Sequence, residues 1–130
     1  MWRERWHGVP RYVVAAVVAE AFVLAYGGAV HIAQLADGWP PYPWAPIWLA
    51  VYFVSLTALD PLAALLLLDR RRAGLYLAAI VLVTDALANG YASYCLPVGT
   101  TASRAAQAVI SCLALGSLLA AFLARPWMRH

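Results

Sequence analysis

Lysine is missing from this chain. All nine basic residues are arginine, and only six acids accompany them. Charged residues make up 12% of 130 positions, about half the share of a soluble domain. Hydrophobic residues reach 65%, more than the core of one small domain can bury. A water-soluble globule is therefore excluded, and a lipid bilayer is the expected partner. The arginines cluster at the ends of apolar segments, so the net charge of +3 points to lipid headgroups and not to nucleic acid. The absence of lysine, with the Ala, Leu and Val bias, is the composition expected of a GC-rich, bacterial genome.

Cysteine is scarce. Cys95 and Cys112 have no CxxC spacing and form no readable disulfide framework. Both are expected to pack inside helices as small apolar residues. The chain has no HExxH, no GxxxxGK[ST] and no GxSxG motif. His31 and Asp37 do not share a helix face, and no histidine pair sits mid-segment to hold a haem. Neither a metal nor another cofactor is expected.

What the chain does have is four long apolar stretches, each able to supply the roughly 20 helical residues that cross a bilayer. They run from Tyr12 to Ala36, Ala45 to Leu68, Ala73 to Cys95 and Arg104 to Ala124. The first is too long for a signal peptide's apolar region, which spans about 7–15 residues, and is read as an uncleaved span. "DGWPPYPW" and "LPVGTTAS" carry the Pro and Gly that break helices, and "DRRR" closes the second span. Ser103 is the expected N-cap of the fourth span, and Pro126 its stop. No soluble domain and no low-complexity tract is present.

Arginine placement sets the expected orientation. Eight of the nine arginines lie at the two termini or in "DRRR"; only Arg104 lies near the third connection. The positive-inside rule then puts both termini in the cytoplasm, in the inner (plasma) membrane. Trp2, Trp6 and Trp127 would flank the inner side, and Trp39, Tyr42, Trp44 and Trp48 the outer. The expected fold class is an all-α integral membrane protein, one domain of four transmembrane helices in an up-down antiparallel bundle.

Within these spans stand Glu20, Asp60 and Asp85. A charge near the bilayer centre costs about 2.5–3.5 kcal/mol on insertion scales. Counting from Arg11 and Asp69, Glu20 and Asp60 each lie roughly 13 Å from the arginine-rich end; Asp85 lies roughly 19 Å from Arg72. The three are expected to share one slab and face inward, where they cannot all carry charge at once. Glu20 and His31 differ by about 20° around their helix, with Gly27 and Gln34 near the same stripe. Asp85 and Asn89 stack on one face. Pro61 cannot donate to the Thr57 carbonyl, which predicts a kink that turns Asp60 inward. The ligand- or proton-binding candidates are Glu20, Asp60, Asp85, Asn89 and His31. Each also has a plainer reading: Asp60–Pro61 as a kink device, Asp85 with Asn89 as interhelical glue, His31 as an interfacial residue roughly 30 Å from Arg11.

The runs "DGWPPYP" and "LDPL" resemble the EXPERA-domain family, whose members have four or five spans and buried acids in a lipophilic pocket. Here "LDPL" lies inside a span that ends in arginines, whereas the family's Asp–Pro is expected outside the helix. No residue role is carried across.

Three functions fit this pattern. The first is binding of a lipophilic or cationic small molecule, with acid–base chemistry by the carboxyls as a variant. The second is proton-coupled transport or a channel, as a homo-oligomer. The third is an accessory or scaffolding role beside a partner membrane protein.

Overall fold

A computed structural model describes residues 1–130. The chain is all-helical, with five α-helices and no strands. A short α1 (Trp2–Arg5) precedes four long helices: α2 (Arg11–Ala36), α3 (Ile47–Leu68), α4 (Arg72–Cys95) and α5 (Thr101–Ala124). These four are long and apolar enough to cross a membrane. They match the expected spans, with two boundary corrections. α3 starts after Pro46. α5 starts at Thr101, because Thr100 and not Ser103 is the N-cap. The Thr100 hydroxyl accepts from the Ser103 N–H, and the Ser103 hydroxyl accepts from the Thr100 N–H, a reciprocal capping box. Pro126 does not end the helical run at once; a 3₁₀ turn follows over Arg125–Trp127.

The helices pack in chain order, α2 on α3, α3 on α4 and α4 on α5. Val13, Val17, Leu24, Leu49, Leu56, Leu67 and Leu75 are fully buried between them. Small residues let the backbones close up. A Cβ on Gly74 would lie 2.5 Å from the Leu67 backbone nitrogen, so α4 meets the end of α3 at a distance only glycine allows. Gly28 of α2 does the same for Pro61 of α3, where a Cβ would lie 2.9 Å from the ring. α3 continues as helix through Pro61. By contrast α2 and α5, the outer members of the row, touch sparsely. The outward faces carry Phe22, Ile47, Leu65, Leu87, Leu115 and Phe122, all exposed. An apolar surface of this extent marks contact with lipid or another protein.

At the Arg70–Arg72 end the chain is tied together by charge. Asp69 meets Arg5 at 2.5 Å, Arg71 at 3.0 Å and Arg129 at 3.9 Å. The Arg70 side chain donates to the carbonyls of Trp127 and Arg5, and its guanidinium lies 5.9 Å from the centre of the buried Trp6 ring. The Arg72 N–H donates to the Arg129 carbonyl and the Arg129 N–H to the Arg70 carbonyl, both at 2.8 Å. The C-terminal tail is thereby stitched beneath the α3–α4 turn.

Candidate functional site

The helix row leaves a cleft between α2 and α5, floored by α4. At the Gln34 end it widens to a cavity of about 440 Å³. His31, Asp60, Asp85 and Asn89 all line it, three helices contributing one wall each. The remaining wall is apolar, chiefly Val109, Ile110 and Leu113 of α5. Asp60 is buried against α2, where the notch at Gly27 receives it; a Cβ there would lie 2.7 Å from Oδ2.

Hydrogen bonds fix the state of His31. The Tyr42 hydroxyl donates to Gln34 Oε1 at 2.7 Å, which uses its only proton. The His31 Nδ1 lies 3.1 Å from the same hydroxyl and 3.2 Å from Gln34 Oε1. Both neighbours can only accept there, so Nδ1 carries the hydrogen. In the neutral ring Nε2 then presents a lone pair toward Asp60 Oδ2, 4.0 Å away. Burial, and then the negative charge of Asp85, hold the Tyr42 hydroxyl above its ordinary pKa, so it keeps its proton and its role as donor. At 4.0 Å the two facing atoms, Nε2 and Oδ2, are beyond hydrogen-bond reach, so neither serves the other. Asp60 Oδ1 meets no protein donor at all. Asp85 is better provided: Asn89 Nδ2 donates to its Oδ1 at 2.7 Å.

Glu20 is placed apart from these four. It lines a neighbouring cavity of about 260 Å³ farther down the same cleft, among Ala16, Cys112, Gly116 and Ser117. The expectation of equal depth for Glu20 and Asp60 does not hold. Asp60 sits beside Gly27, seven residues beyond Glu20 and so roughly 10 Å along α2. The count assumed that Arg11 and Asp69 mark one level, but Asp69 pairs with Arg5, on the far side of the turn at Gly8. The same error set His31 apart from the carboxylates; in the structure it faces Asp60.

Other polar residues serve packing. Gln107 donates across to the Ala86 carbonyl at 2.7 Å. Thr84 bonds Tyr52 in the α3–α4 interface, off the site. Two contributors had not been expected at a site. Tyr42 comes from the proline loop, folded back onto Phe53 at 5.2 Å between ring centres. Cys112 lines the lower cavity and is exposed, as is Cys95; neither is the packed core residue expected. No group of three or more His, Cys, Asp or Glu side chains is arranged to hold a metal ion. A comparison with known protein families, with curated proteins and with solved structures finds no match for this chain.

Proposed function

We propose that this is a bacterial inner-membrane protein, with both termini and Arg70–Arg72 in the cytoplasm, that binds a lipophilic amine in the cleft between α2 and α5. The supporting observation is the contrast within the upper cavity. Asp60 presents a carboxylate with no protein donor, Asp85 adds a second acid beside it, and Val109, Ile110 and Leu113 offer only carbon. An alkylammonium matches both halves: its charge serves Asp60, and its chain lies along α5. Entry is lateral, from lipid, because the two helices that bound the cleft touch far less than the successive pairs α2–α3, α3–α4 and α4–α5.

The test is calorimetric. Octylamine is titrated into the purified protein in neutral detergent, with octanol as the uncharged control. A desolvated charge pair is worth about 2–5 kcal/mol, so octylamine binds at least about tenfold more tightly than octanol, and Asp60→Asn removes that preference. Equal binding of amine and alcohol overturns the reading.

The His31–Asp60 pair supports a second reading. An ammonium that reaches a protonated Asp60 displaces the carboxyl's proton, with His31 the nearby base to receive it, which is the elementary step of cation–proton exchange. Proteoliposomes with an imposed pH gradient test it, through gradient-driven uptake of tetraphenylphosphonium that His31→Ala abolishes.

A further inference from the structure

Glu20 has no explanation in the packing. The residue is 7% exposed, and neither carboxylate oxygen meets a protein donor. Ser117 is the only hydroxyl lining its cavity, and it donates at 2.6 Å to the Ala114 carbonyl of its own helix. Gln107, the amide on α5, is committed to Ala86. A carboxyl used as interhelical glue would have found one of these. An ionised group left so costs several kcal/mol, so Glu20 either holds a proton or is met by a cation from outside the chain.

The cavity at Glu20 and the cavity at Asp60 adjoin. Val23, Leu82 and Leu113 line both. The cleft therefore places an acid in each of two neighbouring cavities, with hydrocarbon between. Its pitch is set by α2. Glu20 and Gly27 lie within about 20° on that helix and roughly 10 Å apart, and Gly27 is the residue against which Asp60 rests.

We propose that Glu20 forms a second cation subsite in this cleft, and that the preferred ligand is a long-chain α,ω-diamine spanning Glu20 and Asp60. The inference rests on the amine-binding reading above and adds the ligand's second charge and its length. One ammonium sits against Asp60 with Asp85 behind it. The methylene chain runs past Val23, Leu82 and Leu113. The other ammonium reaches Glu20.

Four ligand–protein pairs test it by calorimetry on the intact protein in neutral detergent. Octane-1,8-diamine is compared with octylamine, on wild type and on Glu20→Gln. Wild type prefers the diamine by at least about tenfold, the yield of one partly desolvated charge contact. Glu20→Gln brings the diamine down to the octylamine level measured on the same variant. Butane-1,4-diamine, too short to reach, gains nothing over a monoamine on wild type, a readout that needs no variant. Octylamine binding with no diamine preference, or a preference that survives Glu20→Gln, overturns the second subsite and leaves the amine reading standing. Absence of octylamine binding overturns both.

Discussion

Asp69 and Asp60 stand nine residues apart on one stretch of chain, in opposite surroundings. Asp69 closes α3 among three arginines, each within 4.0 Å of its carboxylate. The Arg71 hydrogen bond, and then the charges of Arg5, Arg71 and Arg129, hold its carboxyl below the ordinary value. Asp60 is buried with one oxygen bare and the other opposite a histidine that arrives without a spare proton. The first carboxylate is fully served by the chain, and its work is to hold the chain together. The second is underserved, and the deficit is what a ligand can fill. The distinction is drawn by donors, not by depth or conservation of charge, and it puts Glu20 in the second class.

Four substitutions break or sharpen this contrast. The largest effect is expected at Asp60. Asp60→Leu removes a buried charge without stripping a partner, and raises stability in detergent by about 1–4 kcal/mol while amine binding is lost. Thermal melts decide; a loss of several degrees makes Asp60 a satisfied structural residue and erases its difference from Asp69. Gly27→Ala comes next. Its Cβ meets Asp60 Oδ2 at 2.7 Å, so the carboxylate must leave its notch. Overpacking costs about 1–3 kcal/mol, and octylamine affinity falls with it. Tyr42→Phe deletes the donor to Gln34 and frees the His31 tautomer, a loss of about 0.5–1.5 kcal/mol seen in melts. In the imidazole NMR signals the proton on Nδ1 is no longer fixed.

The smallest effect is expected at Asp69, with opposite sign to Asp60. A lowered pKa in the folded state means that its contribution is fully present above the unfolded value, near 3.9, and fades as pH falls below it. Asp69→Asn therefore lowers the melting temperature slightly at pH 6, and wild type and variant converge as pH falls through the lowered folded-state pKa. Because the group faces solvent, added salt narrows the gap as well. A pH-independent gap places the role of Asp69 in its shape and not in its charge.

The number, length and order of the four long helices were legible in the sequence, because proline, glycine and arginine mark nearly every boundary; the short α1 was not. Register between helices was not. Asp60 meets Gly27 and not Glu20, since the chain from Arg5 to Arg11 turns at Gly8 before α2 begins, and a count started at Arg11 begins at the wrong height. Periodicity did put Glu20, Gly27, His31 and Gln34 on one stripe of α2, and that stripe faces the cleft. Tyr42 left no such trace. It lies among prolines with no period to follow, and only the folded loop brings its hydroxyl to His31. The apolar helices also hid the exposure of Cys112, because a residue turned toward lipid and one turned toward the core are alike in composition.

The helix row behaves as a bound book. α3 and α4 are the spine, pressed together at Gly74, while α2 and α5 are covers whose fore-edges barely meet. Glu20 and the notch for Asp60 are printed on the same cover, so their spacing stays fixed however far the book opens. The opposite cover, α5, lines both cavities but carries no acid, so that spacing is fixed on α2. For the proposed diamine the strict dimension is therefore length: its two ends must fall a set distance apart.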